Sequence, residues 1–201
     1  KMNQSTEKAL QIFSENQGML RTHQALARGI APRTLYALLD SGLIWRVSRG
    51  LYCLAGRDLP GNPDLVTVAL RIPQAVVCLV SALHYYGLTS QIPRQVDVAL
   101  PAKAEKPRLA HPPIRIFWLS PGAYLAGITT QEIDGFPVKI YSLEKTIAEC
   151  FKFRQRVGLE VAQEALKEYI KLPERRLSEV LRYAKLDRVE KMVTTYLEIL
   201  L

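Results

Sequence analysis

The sequence predicts an α+β chain in two parts: an N-terminal winged helix-turn-helix, then a mixed-sheet α/β domain ending in several helices. Three observations carry that prediction. Residues 22–54, THQALARGIAPRTLYALLDSGLIWRVSRGLYCL, hold two short helical patterns across a glycine turn, followed by a small basic hairpin. The middle of the chain holds short runs that alternate like strands, among them QVDVAL and IRIFWL. From Ser142 onward, apolar residues recur at helical spacing. Strands followed by a run of helices suggest helices packed on a sheet.

The elements follow in order. A first helix is expected from about Ser5 to Ser14, with Ala9, Leu10 and Phe13 as its stripe, Ile12 beside them, and Asn16-Gln17-Gly18 as its end. Thr22 is the expected N-cap of the next helix, since its hydroxyl can accept from a free first-turn amide. Gly29 can take the left-handed conformation that a turn between crossing helices needs. Pro32 fits the first turn of the following helix, where its missing N–H costs nothing. In that helix Leu35, Leu38 and Leu39 share one face, and Arg33, Tyr36, Ala37 and Asp40 the other. Ser41-Gly42 closes it. Leu43, Trp45 and Val47 then alternate with Ile44, Arg46 and Ser48, Gly50 permits a reversal, and Leu51–Leu54 return.

That pattern predicts duplex DNA as the partner. Pro32 and Arg33 lie at the exposed start of their helix, from which this motif reaches base edges, and Tyr36 lies on its exposed face. Arg46 and Arg49 lie near the hairpin tip, where a planar guanidinium suits phosphate oxygens or a narrow minor groove. The charge distribution agrees. The net charge is +8, and residues 1–57 carry eight Lys/Arg against three Asp/Glu. Cations concentrated on one small motif favour binding through counterion release.

The segment Gly56–Pro63, GRDLPGNP, reads as a linker between a domain at residues 1–57 and a second at 64–201. Beyond it, Asp64–Ile72 suggests a helix stopped by Pro73, and Ala75–Val80 a buried strand or connection. Ser81 is expected to cap a brief helix closed by Gly87, with His84 half-buried beside Tyr85 and Tyr86. Gln95–Leu100, Ile114–Leu119, Ile128–Ile133 and Val138–Tyr141 read as strands, the last two joined by the hairpin turn Asp134-Gly135. Ser142 caps a helix over LEKTIAECFKF; three more follow over Gly158–Lys171, Leu177–Lys185 and Val189–Leu200.

Composition bounds the function. With 201 residues, 48% hydrophobic and 23% charged, the chain can bury a core. Cys53, Cys78 and Cys150 stand far apart among apolar neighbours and read as reduced core thiols; His23, His84 and His111 are scattered. Neither set has metal-site spacing, so no metal is expected. Gly-rich phosphate loops are absent, so no cofactor is expected. Lys1 precedes Met2, which reads as the natural start. No signal-peptide core or bilayer-spanning apolar run is visible, so the cytoplasm is the expected location and no membrane is expected as a partner.

No catalytic residue is assigned. Ser142 and Lys145 have the Ser-x-x-Lys spacing of some acyl-enzymes, but the companion motifs are missing and an N-cap role accounts for Ser142. Asp97, Glu132, Asp134 and Lys139 carry the alternative reading, a DNA-processing enzyme with a nuclease-like C-terminal domain. They lack a tight acidic-x-Lys signature, and Asp97 reads as an exposed strand residue.

Several segments together resemble the AbiEi family, the antitoxin and transcriptional regulator of AbiE-type (type IV) toxin–antitoxin systems. They are GIAPRTLYALLDSGLIWRVSRGLYCL, SALHYYGLTSQIP, VKIYSLEKTIAECFKFRQRVGLEVAQEAL and YAKLDRVEKMVTTYLEILL. The resemblance implies a winged-helix domain that binds inverted repeats in its own promoter and represses the operon. It also implies a C-terminal domain that neutralises a nucleotidyltransferase-like toxin without a stable complex, and no enzymatic activity. Arg33, Thr34 and Tyr36 match the family's exposed recognition-helix region, and Arg46 and Arg49 its wing.

Overall fold

The computed structural model describes residues 3–55 and 61–201. Lys1, Met2 and Gly56–Pro60, the larger part of the expected linker, lie outside the described residues. The fold is mixed, with helices and two sheets, as the sequence predicts. The chain groups into two compact units, residues 1–63 with 133–135, and residues 64–132 with 136–201.

The first unit begins with α1 (Gln4–Glu15), whose cap is Asn3: its side chain accepts from the Ser5 N–H at 3.4 Å. Gln17 and Gly18 both take positive φ after it and reverse the chain. A short strand follows, β1 (Met19–Arg21), then α2 (Thr22–Ala27) and α3 (Pro32–Asp40). Gly29 separates these two helices with φ +86°, and Pro32 occupies the first position of α3. Strands β2 (Ile44–Ser48) and β3 (Leu51–Leu54) complete a three-stranded antiparallel sheet of order β1-β3-β2. Phe13, Leu20, Ala25, Leu35, Leu38 and Ile44 form the core. Burying each of the two α3 leucines contributes roughly 1.5–3 kcal/mol, which fixes the face that α3 turns inward.

Thr22 is not the cap expected of it. It is the first residue of α2; Arg21 is the N-cap, and the Arg21 N–H donates to the Gln24 side chain at 3.0 Å. The reason is β1: pairing of Met19–Arg21 with Leu51–Cys53 holds the chain extended up to Arg21, so the helix can start only after it.

The second unit is a five-stranded mixed sheet carrying helices. Its strands are β4 (Val76–Val77), β5 (Val96–Pro101), β6 (Ile114–Leu119), β7 (Ile128–Ile133) and β8 (Phe136–Tyr141), in the order β6-β5-β4-β8-β7. β5 runs parallel to β6 and antiparallel to β4, and β4 runs parallel to β8. β7 and β8 are joined through Asp134 and Gly135, both at positive φ as a two-residue hairpin turn requires. The helices are α4 (Pro63–Arg71), α5 (Leu79–Tyr85), α6 (Pro121–Leu125), α7 (Leu143–Lys152), α8 (Arg154–Val157), α9 (Leu159–Tyr169), α10 (Leu177–Leu186) and α11 (Glu190–Leu200). Helix α7 is the central one; Ile147, Ala148 and Phe151 are fully buried on it, against α5, α9, α10 and α11. Ser142 caps α7, its hydroxyl accepting the Lys145 N–H at 3.3 Å.

Ser81 does not cap α5, which begins at Leu79; Ser81 lies inside the helix and its hydroxyl accepts the Asp97 N–H at 2.8 Å. That hydroxyl is committed to the neighbouring strand. His84 is exposed rather than half-buried, because α5 turns Leu79, Ala82 and Leu83 inward and His84 falls on the opposite face.

Candidate nucleic-acid interface

Helix α3 sorts its residues as its period demands. Leu35 and Leu38 are buried, while Pro32, Arg33, Tyr36, Ala37 and Asp40 are exposed and Thr34 is half-buried. Tyr36 is 56% exposed on this face. Pro32, Arg33 and Thr34 form the first turn of α3, at the end where unpaired backbone N–H groups and the helix dipole favour an anion.

The strands beside α3 add cations. Arg46 and Arg49 are both exposed, Arg46 on β2 and Arg49 in the turn that Gly50 closes with φ +75°. The Arg46 guanidinium lies 5.7 Å from the centroid of the Tyr52 ring, within cation–π range, which restrains its direction. Trp45, also on β2, is 55% exposed. Sequence reasoning did not single it out: its place in an alternating strand reads equally as inward or outward, and a bulge between Arg46 and Ser48 breaks the alternation. The structure therefore gathers the six predicted residues onto two adjoining elements, α3 and the β2–β3 hairpin, and adds Trp45.

The residues of the nuclease reading do not converge. Asp97 is 1% exposed, not an open strand residue. Its carboxylate receives Arg115 Nε at 2.7 Å and Arg115 Nη2 at 2.8 Å, from the position directly opposite on β6, and the Val80 N–H at 3.2 Å. Glu132 lies on β7, at the far side of the sheet. Asp134 accepts the Gly61 and Asn62 N–H groups at 3.0 and 3.2 Å, and Lys139 donates to the Pro73 carbonyl at 3.1 Å. Among the described residues, no group of three or more His, Cys, Asp or Glu is placed to hold a metal ion. The three cysteines are buried and form no disulfide; burial pushes the Cys78 and Cys150 thiols up.

A buried ionic cluster on α7 went unseen in the sequence. Lys145, with no exposed side-chain surface, has its Nζ 3.3 Å from Glu149 Oε1 and 3.6 Å from Asp187 Oδ1. Lys152 donates to the same Asp187 oxygen at 3.0 Å from a partly open position. Nζ of Lys145 also sits 5.6 Å from the Tyr141 ring centroid and 5.9 Å from that of Tyr183. The Ser-x-x-Lys spacing is thereby explained: Ser142 caps the helix while the Lys145 amine is directed to carboxylates. A Cβ at Gly127 would stand 2.8 Å from the Lys145 Cβ, and its φ of +77° is itself a glycine conformation. The i,i+4 spacing of Lys145 and Glu149 is the only trace of this cluster in the sequence.

No helix among the described residues is long and apolar enough to cross a membrane. No curated protein matches the chain. Among solved structures, the crystal structure of the RV2827C protein from Mycobacterium tuberculosis is similar, with a TM-score of 0.65 over 92% of this chain and 72% of that one. At 10% identity the likeness is one of fold. Residues 7–55 match the family model of the AbiEi antitoxin transcriptional regulator. Those residues run from α1 through β3 and contain all six predicted site residues, so the family resemblance read from the sequence holds for the segment that carries the candidate interface.

Proposed function

We propose that the chain is a DNA-binding transcriptional repressor of its own toxin–antitoxin operon, and that it is also the antitoxin against a nucleotidyltransferase-like toxin. In this reading α2 and α3 are a helix-turn-helix and β2–β3 is the wing. Helix α3 enters the major groove of promoter inverted repeats with Pro32, Arg33, Thr34 and Tyr36 foremost, and Arg46 and Arg49 grip the backbone beside it. DNA binding resides in residues 1–57. Toxin neutralisation resides in residues 64–201 and needs no stable complex. The work is done in the cytoplasm, without cofactor or catalysis. The observation that carries the reading is the exposed polar start of α3 beside a basic hairpin, inside the segment that matches an antitoxin transcriptional regulator.

The two kinds of contact separate in a binding experiment. Arg33→Ala is expected to cost roughly 1–3 kcal/mol on the promoter site and less on random duplex. Arg49→Ala is expected to weaken both alike and to reduce the slope of affinity against salt by about one, as for a single phosphate contact. Fluorescence anisotropy on both duplexes at several salt concentrations reads both effects. Equal losses on the two duplexes for Arg33→Ala would remove it from the base-reading set.

A further inference from the structure

The turn between α10 and α11 borders a hollow of about 460 Å³ whose lining includes Arg154, Lys185, Arg188 and Lys191, against a single acid, Glu190. Three exposed cations nearby in the chain are paired: Lys171 with Glu168 at 2.6 Å, Arg182 with Glu179 at 2.8 Å, and Arg176 with Glu144 at 3.2 Å. Among the described residues, the side chains of Lys185, Arg188 and Lys191 make no ion pair or hydrogen bond, and Arg154 donates only to the Phe151 carbonyl, at 3.0 Å. Three cations without an ion pair, Lys185, Arg188 and Lys191, thus converge with Arg154 on one hollow that holds a single acid.

The hollow is also held in shape. Asp187 is buried and fixed by Lys152 at 3.0 Å and Lys145 at 3.6 Å. The next residue, Arg188, takes φ +61°, a conformation that L side chains rarely adopt. The buried ionic cluster therefore anchors the turn that presents Arg188. A volume of this size lies in the range of small-molecule sites. Several unpaired cations with one acid suit a ligand of multiple negative charge, and guanidinium forks suit phosphate oxygens.

We propose that this hollow is a binding site for the phosphate groups of a small phosphorylated ligand, distinct from the DNA interface and independent of it. Inorganic pyrophosphate is the probe, titrated into the ¹⁵N-labelled full chain at constant ionic strength while amide resonances are followed by NMR. The expected result is saturable shifts at Arg188–Met192. Arg188→Gly keeps a residue suited to positive φ and removes the guanidinium; it and Lys191→Gln are each expected to weaken binding by about tenfold, the worth of one charge-assisted contact. Lys171→Gln, outside the hollow, is expected to leave binding unchanged. Two variants keep the test open if one of them fails to fold. No saturable shift, or shifts that chloride alone reproduces, overturns the proposal. Shifts at these amides with random duplex DNA and none with pyrophosphate also overturn it, and would assign the hollow to nucleic-acid backbone.

Discussion

Replacing Lys145 by methionine is expected to destabilise the protein by about 3–5 kcal/mol, the usual consequence of removing one partner from a buried ion pair. The substitution nearly conserves volume, so little of the loss comes from a cavity. It removes the amine that Glu149 and Asp187, both buried, share, leaving Asp187 paired with Lys152 and Glu149 without an ion pair. The cluster joins the central helix α7 to the end of α10, so the loss is expected in the cooperative unfolding of the second unit rather than in local fraying. Urea unfolding followed by circular dichroism measures it. The double variant Lys145→Met/Glu149→Gln, which also removes the carboxyl left without an ion pair, is expected to recover part of the loss. A single-variant loss below about 1 kcal/mol would show that the amine is not needed to hold these carboxylates.

Glu149 makes the same cluster sensitive to pH. Burial pushes its carboxyl up to about 7, against the opposing pull of Lys145, and the Asp187 carboxylate adds to the rise. The pairing with Lys145 at 3.3 Å favours the charged form, but complete burial outweighs it. Lys145, Asp187 and Lys152 are the charged groups set against it. Because the folded-state value lies above the ordinary 4.5, the folded protein holds the proton more tightly than the unfolded chain. The resulting stabilisation is fully present below about pH 4.5 and is lost as pH rises through about 7. The greatest slope is about 1.4 kcal/mol per pH unit, and the whole effect is of order 3 kcal/mol. Other groups titrate too, so the quantity to read is the difference between the parent protein and Glu149→Gln. That variant cannot take up the proton, and its stability is expected to gain on the parent's as pH rises across the window. A difference that stays constant would place the Glu149 carboxyl at its ordinary value.

Where the sequence was informative, the determining interactions are local. Pro32 at the first turn, leucines at positions 35 and 38, and Gly42 at φ +69° define α3 within one short stretch, and the exposed face follows from the period alone. Asp134-Gly135 marks its hairpin for the same reason. Where it was not, the cause is pairing with residues distant in the chain. Strand β1 has three residues and no alternation to display; it exists because Met19 meets Cys53 across the sheet. Asp97 sits in QVDVAL at an apparently outward position, yet Arg115 lies opposite it on a parallel neighbour and lets it be buried. Asp187, on another helix, turns the unremarkable pair Lys145 and Glu149 into an interior cluster. The candidate interface was legible through α3, Arg46 and Arg49, whereas Trp45 needed the strand's true facing.

In the proposed function, α3 and the β2–β3 hairpin are the surface that meets duplex DNA. The direct test is NMR mapping of the full ¹⁵N-labelled chain against a duplex from its own promoter, at a salt concentration where random duplex of equal length binds weakly. The predicted result is a contiguous set of perturbed amides at the start of α3 and along β2 and its turn, including Arg33, Tyr36, Trp45, Arg46 and Arg49. Absence of any promoter-specific perturbation, or perturbations confined to residues 64–132 and 136–201, would rule out α3 and the hairpin as the DNA-binding surface.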